Sequence, residues 1–286
     1  MIDAHVHVWT LDAARYPWQP TLAHIPIPTE PATGEALIAE MDVAGVSHAV
    51  LVQPSVYGWN NDYLCDCLQR WPDRFVGVCL VDPRAADADE RLDYWVRGRG
   101  CRGLRINVIA EPDAAWLLEP ARRGLWRAAR RLDVSVAFQM LPAHAEVVAR
   151  LATRHPDMTF IADYFGAAAF HDGSGIAAID RLAPLPNLWY KIQALGSDSR
   201  RPYPFEDLRP LYARAVERLG PHRLVFATDF PHIYKGCSYA QGIRWLDTLP
   251  FLDAAARAAI GDANARSLWR IAAETTPLKP AEKNGR

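Results

Sequence analysis

The chain has 286 residues, 50% of them hydrophobic and 23% charged, which is ample for a large core and more than a small domain needs. Its 32 basic and 33 acidic residues leave a formal net charge of −1. No basic run interleaves with aromatics and no apolar run is long enough for a bilayer, which argues against a nucleic-acid or membrane partner.

In chain order, the opening IDAHVHV (2–8) reads as a strand. Residues two apart in a strand point the same way, so His5 and His7 are expected on one side, with Asp3 one step earlier on that same side. The stretch 10–32, rich in proline and carrying Trp18, is long for an irregular connection, and such a loop is more often functional or a cap than filler. A helical pattern at 34–45 leads to a second strand at 47–53 ending in Gln53, with Ser55, Tyr57, Trp59 and Asn60 just beyond it. Gln53 and Gln139, at strand ends, either bond a ligand or satisfy nearby backbone. Tyr57 and Trp59 either wall a ring-shaped ligand or pack the rim. A helix at 61–71 follows, then strands at 75–81 and 101–107 with a helix at 89–98 between them, and Arg105 in the later strand.

Further on come a helix at 124–132, strands at 134–139 and 158–163, a strand at 188–193 carrying Lys191, a helix at 206–220 stopped by Gly220-Pro221, and a strand at 223–228. Lys191 faces either a pocket or solvent. The last strand runs into Asp229, a carboxylate costly to bury without purpose, and His232 lies three residues on. A closing helix spans 261–271, and 276–286 reads as a loose tail after a single domain over 1–275. Eight apolar strands alternating with helices predict a (β/α)8 TIM barrel; an open doubly wound sheet is the competitor, weakened by the lack of a Gly-rich or Walker-type loop. In a barrel the first and eighth strands are neighbours, so Asp229 is expected to meet His5 and His7 at the C-terminal mouth, where active sites sit. The five cysteines (Cys65, Cys67, Cys79, Cys101 and Cys237) form no CxxC pair, and no signal peptide is read, so a cytoplasmic protein with reduced thiols is expected.

The HxH of the first strand, LVQPSVYGWNNDYL (51–64), RFVGVCLVDP (74–83), GLRIN (103–107) and TDFPH (228–232) together resemble the amidohydrolase superfamily, and within it the lactonase branch. That resemblance covers about residues 2 to 275. It implies a barrel hydrolase that opens the ring ester of a small lactone, with His5 and His7 as the strand-one pair and Asp229 activating water. It further implies that Arg105 grips an anionic substrate and that Ser55 reaches it. One position departs from the pattern: Tyr164 stands where the family carries a strand-six histidine, in Asp163-Tyr164-Phe165-Gly166. A phenol is a poor zinc ligand, and no lysine on strands four or five can bridge two metals. Metal-free catalysis is therefore expected, with His5, His7 or Tyr164 stabilising the oxyanion, and with Arg105 and Lys191 holding a carboxylate borne by the lactone. A family arginine expected after Gly166 is replaced by Ala167, Ala168 and Ala169, which argues against a doubly charged substrate. Two alternatives stay open. One is a zinc- or manganese-dependent decarboxylase or hydrolase using His5, His7 and Asp229 as ligands, with His232 or His171 as outside candidates. The other is a non-catalytic ligand-binding barrel. The reading is compatible with a homo-oligomer.

Overall fold

A computed structural model describes residues 1–22 and 25–272; the expected tail at 276–286, and the end of the expected domain at 275, lie outside the described residues. Eight parallel strands follow one another round a single sheet: β1 Ile2–Val6, β2 His48–Val52, β3 Phe75–Leu80, β4 Gly103–Asn107, β5 Ser135–Gln139, β6 Phe160–Tyr164, β7 Leu188–Gln193 and β8 Leu224–Ala227. The sheet closes where β1 meets the segment after β8, through Asp229 N–H donating to the His5 carbonyl at 3.0 Å and His7 N–H to the Phe230 carbonyl at 2.7 Å. Each strand falls within a residue or two of its expected run, and the fold is the expected (β/α)8 barrel.

The strands are buried on both faces, which is why they read as continuous apolar runs. Helices α1 Gly34–Ala44, α2 Asp62–Arg70, α3 Ala88–Asp93, α4 Arg123–Arg131, α5 Ala145–Arg154, α6 Ser174–Leu182 and α7 Arg209–Leu219 pack outside them. Local chemistry sets their ends. The Thr33 side chain accepts from Ala36 N–H to start α1, and Gly45 ends it in the left-handed region at φ 70°. A short α8 (Tyr239–Ile243), α9 (Ala254–Ala258) and α10 (Asn264–Trp269) complete the layer. The main core lies between helices and sheet. A second cluster fills the lower barrel, where Ile2, Ala4, Val50, Val52, Val78 and Val225 pack with Trp269 of α10.

The first strand contains a bulge. Asp3 pairs with Ala49 but Val6 pairs with Leu51, so β1 spends three residues where β2 spends two. This corrects the expectation that Asp3 shares a side with the histidines. Ile2 and Ala4 point into the barrel, the extra residue resets the alternation, and His5 and His7 also point inward. Asp3 instead turns outward, where Tyr239 of α8 donates to it at 3.1 Å and Thr228 donates both its N–H at 2.9 Å and its hydroxyl at 2.5 Å. Burial pushes the Asp3 carboxyl up to about 6 even against those three bonds.

Candidate active site

At the C-terminal end of the barrel lies a cavity of about 680 Å³. His5, His7, Arg105, Tyr164, Asp229 and His232 face it, joined by Ser55, Gln139, Asp198 and Lys235. Trp9 and the segment Ile25–Thr29 of the long loop form an apolar side, so part of the 10–32 stretch borders the mouth. That loop is tied at its ends by the Trp9–Ala32 bridge.

The floor is a convergence of strand ends. His5 Nε2 and His7 Nε2 lie 3.1 Å apart, and Asp229 Oδ1 sits 3.6 Å from the first and 3.5 Å from the second. Asp229 occupies a left-handed backbone conformation, φ 58°, uncommon for a side chain other than glycine and typical of sites where geometry is over-determined. Burial pushes its carboxyl up to about 8; Arg105 opposes the rise, while Asp163 and Asp198 add to it. Burial lowers His5 to about 3 and His7 well below the usual imidazole range, so both rings are neutral. His7 Nδ1 bonds the Val52 carbonyl at 2.7 Å; a carbonyl only accepts, so Nδ1 carries the proton and Nε2 presents its lone pair to the cavity.

Beneath this floor lies a residue that sequence reasoning passed over. Asp163 is fully buried, with Oδ1 2.9 Å from His5 Nδ1 and 2.8 Å from Lys191 Nζ, and Oδ2 2.9 Å from Arg105 Nε. Burial alone raises a carboxyl, but these neighbours outweigh it and hold Asp163 well below the ordinary range. The signal was present, since a carboxylate inside an apolar strand needs compensation. Arg105 remains at the cavity, and its two terminal nitrogens make no hydrogen bond with a described residue.

Three expected substrate contacts are corrected. Lys191 is fully buried, does not line the cavity, and lies 2.9 Å from His5 Nδ1 as well as against Asp163; it positions the floor rather than a ligand. Gln53 is buried and its amide donates to the Asn60 carbonyl at 2.6 Å, so it holds the loop after β2. Tyr57 is also buried. Its hydroxyl donates to the Thr10 carbonyl and accepts from Thr10 N–H, both at 2.9 Å, while its ring stacks on Trp18 at 4.5 Å. The other expected residues do reach the cavity. Ser55 accepts from Asn107 Nδ2 at 3.0 Å. His232 lies 5.9 Å, ring to ring, from both His7 and Trp9, and burial lowers it to about 4. Tyr164 donates to Asp198 at 2.6 Å, which engages its only proton and takes it away from oxyanion duty. His171 is away from the floor, its Nε2 2.9 Å from the Asp198 carbonyl. Asp198 and Lys235 were not foreseen, because one sits on an irregular loop and the other ends a single 3-10 turn, His232–Lys235, both too short for periodicity to mark them.

The ligand atoms of His5, His7 and Asp229 all lie within 4.8 Å of one another. The fixed Nδ1–H of His7, the Asp163 contact behind His5, and the cost of burying the Asp229 carboxylate, which a cation would offset, all suit a divalent cation held by three protein ligands. The amidohydrolase family model matches residues 2–271, and the chain belongs to that family. It is 29% identical to the L-fucono-1,5-lactonase of Burkholderia multivorans, over 94% of this chain and 96% of that protein. It is 26% identical to the 4-sulfomuconolactone hydrolase of Rhizobium radiobacter, over 80% of this chain and 75% of the relative. Among solved structures it resembles a probable 2-pyrone-4,6-dicarboxylic acid hydrolase from Acinetobacter baumannii, determined with citric acid bound (TM-score 0.80, 22% identity, 94% of this chain and 98% of the other). It also resembles an amidohydrolase from Burkholderia multivorans determined with bound zinc (TM-score 0.74, 24% identity, 94% and 98%). No helix among the described residues is long and apolar enough to cross a membrane.

Proposed function

We propose that this protein hydrolyses the ring ester of a small lactone, with Asp229 as the base that takes a proton from water. The observation that carries the reading is the meeting of Asp229 Oδ1 with the Nε2 atoms of His5 and His7 on the floor of the cavity. The relatives of known activity that match along most of the chain, a sulfomuconolactone hydrolase and a fuconolactonase, support it.

In this scheme the water oxygen bonds to the ring carbonyl carbon as the ionised form of Asp229, made a stronger base by a pKa pushed up to about 8, accepts its proton. The free guanidinium nitrogens of Arg105, fixed through Nε to Asp163, face the negative charge that develops on the carbonyl oxygen; an anionic substituent on the ring is their alternative partner. The ring C–O bond then breaks, and the proton on Asp229 passes to the departing alkoxide, giving a hydroxy acid. A lactone is more reactive than an amide, so a placed base and a fixed cation supply much of what the step needs. His5, His7 and Asp229 are the residues that would hold a divalent cation; zinc or manganese bound there would lower the pKa of a water and polarise the carbonyl.

The test is acid release from a panel of sugar lactones and aromatic-pathway lactones, using protein prepared with added zinc, with added manganese, and after chelation. Turnover of at least one lactone in at least one of these states is expected. Loss of activity on chelation with recovery on metal addition assigns the three ligands to a metal. Absence of turnover across the panel in all three states overturns the proposal.

A further inference from the structure

Of the buried or half-buried aspartates on or just after strands β1, β6, β7 and β8, three have partners that account for them. Asp3 ties the closure, Asp163 is compensated by Lys191, Arg105 and His5, and Asp229 faces the two imidazoles. Asp198 is different. It lies on the loop after β7, half-buried and facing the cavity, with no ion-pair partner among the described residues. Its carboxylate receives only hydroxyls, from Tyr164 at 2.6 Å and Ser197 at 3.2 Å. Its placement is built. His171 bonds its carbonyl at 2.9 Å, and its loop touches the loop after β8 so closely that a Cβ on Gly196 would sit 2.5 Å from the Cα of Gly236. Burial raises its carboxyl above the ordinary value even against the two hydroxyls and the more distant charges of His171 and Lys235, so part of the desolvation cost stays uncompensated.

A second polar group facing the cavity has the same need. Gln139, at the end of β5, has a buried Oε1 with no hydrogen-bond partner among the described residues. If the amide is turned over, its N–H₂ faces the same surroundings and needs an acceptor. A hydroxyl group satisfies either orientation, because it both donates and accepts. Apolar atoms cannot satisfy these groups, and a carboxylate brought to Asp198 would meet like charge.

We propose that Asp198 is a specificity-determining residue of this cavity that reads hydroxyl groups on the substrate ring, with the Gln139 amide as a second partner, so that the preferred substrates are polyhydroxylated lactones. Tyr164 is then a positioning residue that holds Asp198 through its hydroxyl. The inference rests on the lactone-hydrolase reading for its substrate and on binding alone for its geometry. A site built to bond a hydroxyl discriminates strongly against the analogue that lacks it, because its own polar groups are left unpaired.

The experiment compares gluconolactone with δ-valerolactone, six-membered rings with and without hydroxyls, in the wild type, Asp198→Ala, Asp198→Asn and Tyr164→Phe. The readout is the ratio of the two kcat/KM values, alongside calorimetric binding of gluconate to each protein. The wild-type ratio is expected to favour gluconolactone. Asp198→Ala should cut that ratio by roughly tenfold or more, mainly through KM, and weaken gluconate similarly. Asn, which still accepts a hydrogen bond, should restore part of it, and Tyr164→Phe should fall between wild type and Ala. A ratio unchanged in Asp198→Ala, or equal loss on both lactones, overturns the inference while leaving lactone hydrolysis intact. If the wild type turns over neither lactone, gluconate binding decides: affinity lost in Asp198→Ala upholds the hydroxyl-reading site, and affinity equal in both proteins, or absent from the wild type, overturns it.

Discussion

Asp229 and Lys191 show how the same floor sets opposite requirements on two buried charges. In the proposed scheme Asp229 is the base, and the neutral imidazoles of His5 and His7 lie 3.6 and 3.5 Å from it. Asp229→Asn is expected to lower kcat for any lactone turned over by about 10³-fold, measured by acid release. The same substitution should change stability in a pH-dependent way. With its pKa pushed up to about 8, the folded protein retains a proton that the unfolded chain releases above about pH 4, so Asp229 destabilises the fold increasingly as pH rises between these values. Urea midpoints in the presence of chelator should show Asp229→Asn gaining on the wild type from pH 4 to 8, by about 1.4 kcal/mol for each pH unit, and levelling beyond. A flat difference would sink the assignment of a raised pKa. Lys191 is the reverse case. It is fully buried and one of three cationic or hydrogen-bonding partners of Asp163, so Lys191→Met leaves a buried carboxylate undercompensated and should cost about 3–5 kcal/mol in the same assay.

At the scale of elements, the strands were legible in the sequence because a parallel barrel buries both faces, so each strand appears as an unbroken apolar run. Their detailed register was not. Two irregularities, in β1 between Asp3 and Val6 and between β5 and β6 at Phe138/Gln139, reset which side chains point inward. Strict alternation therefore misplaced Asp3 and obscured how Asp163 and the adjacent Tyr164 both serve the site. Within β7, Lys191 stood out as a cation in an apolar strand, yet only the fold shows that its partner is Asp163. The long loop was recognised by its length, while its fastening was not. Tyr57 looked like a ligand-facing aromatic and instead clamps Thr10 through two hydrogen bonds. Tyr57→Phe should cost about 1–2 kcal/mol and raise KM more than it lowers kcat, because the clamp holds the loop whose Ile25–Thr29 segment borders the cavity. Equal KM values in both proteins would show that the clamp does not bear on substrate binding.

Taken as a whole, the molecule separates a polar end from an apolar one. The mouth gathers ionisable groups, while the opposite end is filled by aliphatic residues closed off by Trp269, whose ring centre lies 6.0 Å from Lys191 Nζ. Trp269→Ala should cost about 3–5 kcal/mol through the cavity it opens, with kcat per folded molecule nearly unchanged; a large drop in kcat would mean that the base of the barrel controls the mouth. The seam between β1 and the segment after β8 carries a different implication. The imidazoles lie among the first seven residues, and the carboxylate they face is 222 positions after His7. During synthesis the earliest-made part of the site must therefore wait for nearly the latest. A nascent chain released before Asp229 would lack the carboxylate proposed as the base, so on that scheme activity switches on only when the circle of strands is complete, and premature truncations should be inert rather than partly competent.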